Sequence, residues 1–447
     1  TLRMYTEPVV EVDAALLDKH LEEVKARKRG LLADLGLSGI SDEAITKMLM
    51  SNDIFAKYLM NLGIDPPTKV STKTGKTAWA FSKTDKDFTD LLEHPDERVQ
   101  SVVSARLGVK STLEETRTNA LIGVSQRGAL PIMLNYYGAH TGRFSGGDKL
   151  NLQNLPSRGN TTIKRALKAP EGHVFVACDS SQIEARMVAW MAGQQDLVDA
   201  FAQARDVYSE FASEVYGRTI TKADKVERFV GKTCVLGLGY GMGAAKFQRT
   251  LEIGQAGISV KIDINEAERI VRLYRSKNHK IVELWNKCNN ALTQMMQGGN
   301  GDLGRGITFD NQGILLPSKF RITYPALRQT SNGFEYISDA RSYRKAIRDR
   351  VTSGEMDVSW TRIYGGKVTE NLIQALASIV IRNQMAAIGK QYKVVFQVHD
   401  EIIILAPQAD ADTAEQALIK VMSTPPSWAP DLPVACESGK ATNYGDA

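Results

Sequence analysis

At 447 residues the chain is too long for one compact core and implies roughly two to four domains. Its 43% hydrophobic and 24% charged residues are those of a soluble globular protein, and no apolar run approaches the about eighteen residues a membrane span needs. The formal charge of +5 is compatible with a polyanionic partner without requiring one. The four cysteines, Cys178, Cys234, Cys288 and Cys436, are far apart and form no CxxC pair, which excludes a zinc ribbon or a disulfide framework and fits a reducing compartment.

In chain order, the start at Thr1-Leu2-Arg3 reads as the edge of a piece excised from something longer. Leu16, Leu17, Leu21 and Val24 have helical spacing within Val12–Leu32. Residues 36–130 read as mostly helical, broken near Asp65-Pro66-Pro67 and by the lysine-rich stretch Thr68–Thr77, expected as a mobile tip. The basic runs at Lys25–Arg29 and Lys69–Lys86 read as solvated faces. Glycine and polar residues fill 137–159. A strand is expected over Val174–Asp179, then a helix in which Ser181 and Glu184 have capping-box spacing. Helical patterns occupy 195–298, and 299–361 is glycine-rich and irregular with short extended pieces such as Gly313–Leu316. A long amphipathic helix over Val368–Lys390 precedes a hairpin, Val394–Leu405, turning at His399-Asp400. No internal repeat is present. This order predicts a mixed sheet split by a large helical insertion.

Two strands tipped with acid are the central feature. A carboxylate at the end of a buried strand is costly unless paired or bound to a cation. Asp179 and Asp400, brought together, would suit hard divalent ions, which prefer oxygen ligands. Such a metal pair can clamp the attacking and leaving oxygens of a phosphoryl displacement. Taken singly, each tip is equally well a solvated turn.

Between the tips, Arg228, Lys232, Leu236 and Tyr240 fall at successive i+4 positions and form one helical stripe. Two cations, an apolar side chain and an aromatic match a nucleoside triphosphate laid lengthwise; a basic surface stripe running into a glycine-rich cap is the plainer reading. Gly231-Lys232-Thr233 imitates the end of a Walker loop, but Val226 stands where its first glycine is required, and Gly75-Lys76-Thr77 fails likewise at Val70. Gly239–Ala244 fits the loose GxGxxA dinucleotide pattern, with Asp263 near the required distance.

Asp179-Ser180-Ser181-Gln182-Ile183-Glu184-Ala185-Arg186 resembles motif A of the family A DNA polymerases, the bacterial DNA polymerase I group. Arg228, Lys232 and Tyr240-Gly241 resemble its motif B, and Val398-His399-Asp400-Glu401 its motif C. Thr141–Ser145, with Asn151–Pro156 and Arg158, resembles the family's primer–template segment. The motifs occur in family order and cover most of the chain.

The resemblance implies an α+β right-hand polymerase fold with a mixed or antiparallel palm sheet: residues 1–12 a remnant or linker, 13–130 a helical thumb, 131–194 and 367–447 the two parts of the palm, and 195–366 helical fingers. It implies template-directed addition of deoxynucleotides to a primer 3′ hydroxyl with release of pyrophosphate. Asp179 and Asp400, with the Ser180 carbonyl and Glu401, would hold two Mg2+ ions, which Mn2+ can replace. Lys232 and Arg228 would neutralise the triphosphate, Lys232 also serving as acid for the leaving group. Glu184 would crowd a ribose 2′ hydroxyl, together with Gln182 and Tyr240, and Leu236 and Tyr208 would complete the nucleotide pocket. Arg143, Asn151, Gln153, Asn154, Arg158, Gln374 and His399 would contact DNA. The implied partners are primer–template DNA and deoxynucleoside triphosphates, without a membrane, for a monomer in a bacterial or phage-infected cytoplasm or an organellar matrix.

Three departures from the family pattern stand out. Leu236 replaces an aromatic residue, Tyr208 replaces a histidine, and the segment between Ser145 and Asn151 carries one extra residue. The irregular 299–361 stretch fits a phage or organellar branch. Only about a dozen residues precede the expected thumb, so a proofreading exonuclease domain is expected to be absent from this piece. Two rivals stay open: a single-subunit RNA polymerase, against which Glu184 and the primer segment weigh, and a catalytically silent DNA-binding subunit.

Overall fold

The computed structural model describes residues 1–70, 76–147, 150–155, 161–255, 257–338 and 360–447. It divides into two compact units, one of Glu11–Leu130 with Thr162–Lys168, the other of Thr1–Val10, Pro131–Thr161 and Ala169–Ala447.

The smaller unit is helical. Asp13 caps the helix Ala14–Ala33 by accepting from the Leu16 amide, and Leu17, His20, Leu21 and Val24 form its buried stripe. Ser51 closes the helix Asp42–Met50 and caps the next, Asn52–Asn61. Phe55, Phe81 and Phe88 pack edge-on or tilted beside the helix Glu97–Lys110. Of the lysine-rich stretch expected as a mobile tip, residues 71–75 lie outside the described residues; its arms, Thr68–Val70 and Thr77–Trp79, pair antiparallel, and Trp79 stacks on Phe81, which anchors the returning strand.

The larger unit is built on a four-stranded sheet, ordered Lys393–Val398, Glu401–Pro407, His173–Ser180, Cys436–Ala441. Every pairing is antiparallel, so of the two sheet types expected the antiparallel one is found. Val174, Val176, Cys178, Ile402 and Ile404 pack on one face with the helix Ala411–Met422. Each such fully buried aliphatic contributes about 1.5–3 kcal/mol.

Between the first and second of these strands in sequence lies the helical insertion, running from Ile183–Ala192 to His279–Met296. The long helix is Gly365–Ile388. Rather than amphipathic, it is buried on most of its surface, because the helices Ile183–Ala192, His279–Met296 and Ala411–Met422 all pack on it. Its Gly365 and Gly366 permit close approach: a Cβ would lie 2.0 Å from the Trp285 carbonyl oxygen at the first and 2.5 Å from that of Tyr240 at the second.

Two further expectations are corrected. The 299–361 stretch contains a four-stranded sheet, from Gly301–Gly304 to Arg321–Ile322, and a three-stranded one of Arg328–Thr330, Gly333–Ile337 and Trp360–Ile363. Strands of two to five residues are too short to show a period in sequence. The capping box at Ser181 does not form: the Ser181 amide donates to the Ala435 carbonyl, and left-handed Gln182 (φ 55°) opens the helix. Among the described residues no helix is long and apolar enough to cross a membrane.

Candidate active site

Register places the acidic tips together. Asp179 lies directly opposite Glu401 on one neighbouring strand and Glu437 on the other. Paired residues of an antiparallel sheet share a face, so the three carboxylates form one row across the sheet end. Asp400 is one residue from that row, and its carbonyl accepts from the Ser180 amide at 3.2 Å. The turn carrying it is held by left-handed His399 (φ 53°), whose carbonyl accepts from the Gln397 side chain. Tyr444 donates to Glu401 Oε2 at 2.6 Å.

Burial pushes the Asp400 carboxyl above its usual range, against the opposing pull of Arg143 and His399. A desolvated carboxylate is what an incoming cation would relieve. Among the described residues no three His, Cys, Asp or Glu side chains are gathered as a ready metal cage. Two aspartates and a carbonyl suit magnesium, which keeps several waters and takes the rest of its shell from substrate phosphates. The donor set therefore fits that ion.

Arg143 links the elements. Its guanidinium pairs with Glu184, and Asp400, Tyr240 and Glu370 all act on its charge, while burial lowers its pKa. With Glu184 bound to Arg143 rather than to the start of its own helix, the absent capping box is accounted for. Arg143, Gln153, His399 and Asp400 line one narrow pocket. Gln374 donates to Glu370 at 3.3 Å, and Lys367 is 2.8 Å from the same carboxylate oxygen.

The stripe is helical as expected, over Lys225–Gly237 and one further turn, Leu238–Tyr240. Arg228 is gripped by Asp206 at 2.7 and 3.1 Å, with Ser209 donating to Asp206 at 2.8 Å. Lys232 is half-buried, and Leu236 is 38% exposed between it and Tyr240. Burial, with Tyr274 and Glu370 nearby, holds the Tyr240 phenol well above its ordinary value.

Some residues sit differently from expectation. Tyr208, expected in the nucleotide pocket, is only 5% exposed, with the Arg228 guanidinium 5.3 Å from its ring centre, so it floors that cation; burial pushes its phenol up to about 12. Gln153, expected on the DNA surface, is buried and reaches Gln397 at 3.5 Å, bracing the His399 turn. Asn151 caps the short turn Leu152–Asn154 by accepting from the Gln153 amide, and Asn154 is exposed. Arg158 lies outside the described residues. Sequence reasoning missed Asp206, Glu370, Glu437 and Tyr444. The polar strand Cys436–Ala441 has no alternation that would have revealed Glu437.

A family model described as DNA polymerase family A matches residues 39–306, more than half of the chain. The chain belongs to DNA polymerase family A. The matched segment of this family A chain includes Asp179, Glu184, Arg228, Lys232 and Tyr240; Asp400 lies beyond it. The chain is 28% identical over 305 residues to DNA polymerase I of Chloroflexus aurantiacus, covering 66% of this chain and 27% of that protein. It is 29% identical over 297 residues to the DNA polymerase of Bacillus phage SP02, covering 63% and 42%. It thus spans well under half the length of these relatives. The fold is similar to the polymerase domain of Pol1 from M. smegmatis, solved with DNA primer-template and dNTP: TM-score 0.67, 20% identity, 98% of this chain and 68% of that one.

Proposed function

We propose that the chain is a DNA-directed DNA polymerase, extending a primer 3′ hydroxyl with deoxynucleotides and releasing pyrophosphate. The observation that carries this is the register of the central sheet, which sets Asp179 opposite Glu401 and next to Asp400 on the exposed strand end. Asp179 and Asp400, aided by the Ser180 carbonyl and Glu401, would hold two magnesium ions. Bound there, the ions would supply Lewis-acid activation of the primer hydroxyl and neutralise charge at the α-phosphate.

The chain's own residues do the rest. Arg228, anchored by Asp206, and Lys232 one turn later receive the triphosphate, and Lys232 donates a proton to the departing pyrophosphate. Glu184, fixed by Arg143, crowds the sugar 2′ position. Tyr240 closes the base end, seated against Gly366. Arg143, Gln374 and His399 face the minor-groove side of the primer end, where acceptors occupy similar places in every correct pair. In this reading the smaller unit is the thumb, the sheet with the long helix is the palm, and the helical insertion forms the fingers. The enzyme works as a monomer on primer–template DNA, in a bacterial or phage-infected cytoplasm or an organellar matrix.

Primer extension tests it. Asp179→Ala and Asp400→Ala should each lower extension by several orders of magnitude while duplex binding persists. Near-normal extension by either purified variant, or wild-type synthesis from ribonucleotides without a primer, would overturn the assignment.

A further inference from the structure

Beside the pocket that holds Asp400 lies an aromatic surface that the polymerisation chemistry does not use. Tyr136 is 57% exposed and Phe320 48% exposed, although they come from loops nearly two hundred residues apart in sequence. Tyr137 joins them: its ring centre is 4.6 Å from that of Phe320 and 5.2 Å from that of Tyr136. Phe144 continues the row 6.0 Å from Tyr136 and, with Arg382, also lines the Asp400 pocket.

The surface is held in place by strained backbone. Tyr137 (φ 55°) and Lys319 (φ 65°) are both left-handed although neither is glycine, a conformation that costs about 1–3 kcal/mol and must be imposed by its surroundings. Gly142 leaves room for the Tyr137 ring, whose nearest carbon would lie 2.7 Å from a Cβ there. Arg382 stacks 4.5 Å from the centre of Tyr137 and 5.6 Å from that of Tyr136. It donates to the Ser378 carbonyl and the Tyr137 hydroxyl, and among the described residues no carboxylate pairs with it. Lys319, exposed next to Phe320, likewise has no ion-pair partner among the described residues.

Exposed rings interleaved with cations that lack counter-charges match the chemistry of a single nucleic-acid strand, whose bases stack on aromatic faces while phosphates meet cations. A duplex would bury its bases and leave the rings unused. We propose that Tyr136 and Phe320 form a stacking platform for unpaired bases of single-stranded DNA, with Arg382 and Lys319 meeting its phosphates. The platform adjoins the Asp400 pocket through Phe144 and Arg382, so a strand ending in that pocket could fray directly onto it. This goes beyond the polymerase reading and does not depend on catalysis.

Fluorescence anisotropy with a labelled oligothymidylate of about twelve nucleotides, within the site sizes typical of single-strand binders, is the test. Divalent ions are chelated and no nucleotide is added, so failure of polymerisation and failure of the platform are separable. The double variant Tyr136→Ala/Phe320→Ala should bind the oligothymidylate about tenfold more weakly, while blunt-duplex affinity changes by less than about twofold. Tyr136→Phe/Phe320→Tyr, which keeps both rings, should retain single-strand affinity. Unchanged oligothymidylate binding by the alanine variant, an equal loss for duplex, or a loss in the ring-preserving variant would each overturn the proposal.

Discussion

Glu184 is held by Arg143, and Arg143 is in turn under the influence of Asp400, so the residue expected to screen the sugar is coupled to the carboxylates. Replacing it with alanine should therefore raise ribonucleotide incorporation relative to deoxynucleotide by about tenfold or more, because a lost steric block is read as a ratio of kcat/KM values. Single-nucleotide incorporation kinetics with matched ribo- and deoxynucleotides would measure it, and an unchanged ratio would count against the gate. Leu236 lies exposed on the same helix face as Lys232 and Tyr240 but has no polar group to offer a sugar. Leu236→Tyr should raise dideoxynucleotide use, seen as more frequent chain termination at equal concentrations. The stripe of Arg228, Lys232, Leu236 and Tyr240 was legible in the sequence because helical spacing sets those side chains on one face, whereas the role expected of Glu184 came from the family resemblance. Asp206 was not legible, since it reaches Arg228 across twenty-two positions and no local pattern links them.

At the scale of elements, the Arg228–Asp206 pair joins the helix Lys225–Gly237 to the start of Val207–Tyr216. Burial opposes the Asp206 charge, but hydrogen bonds from Arg228 and Ser209, with the charge of Arg228, outweigh it and hold the carboxyl below its usual range. A depressed folded-state value means the contribution is present above the ordinary carboxylate range, near pH about 4, and fades as pH falls through the folded value. Wild type should accordingly unfold at a higher temperature than Asp206→Asn at neutral pH, with the two melting curves converging in acid. A constant gap across that range would remove the charge argument. The Gly365-Gly366 approach makes a second demand: Gly366→Ala would force a Cβ against the Tyr240 backbone and should cost about 1–3 kcal/mol in a denaturant titration. Element type could be read along much of the chain, and the hairpin at His399-Asp400 was visible because both arms are apolar. The short strands after Gly301 and the polar edge strand Cys436–Ala441 were not, because their identity comes from their partners.

Over the whole molecule, a formal charge of +5 and dispersed lysines and arginines would give the proposed duplex binding a counterion term. If about six phosphates are neutralised, raising salt from about 50 to about 200 mM should weaken binding roughly a thousandfold, and a flat titration would exclude backbone contact as the main source of affinity. The two compact units were foreshadowed by the helical first third, but not the return of Thr162–Lys168 to the smaller one, where Leu167–Lys168 pairs with Glu11–Val12. That return depends on a register no local pattern encodes. The strand carrying Asp179 is also flanked on both sides by strands from the last fifty residues of the sequence, and Tyr444 secures Glu401. On the ribosome, then, the row of Asp179, Glu401 and Glu437 cannot be completed until Cys436–Ala441 has left the exit tunnel.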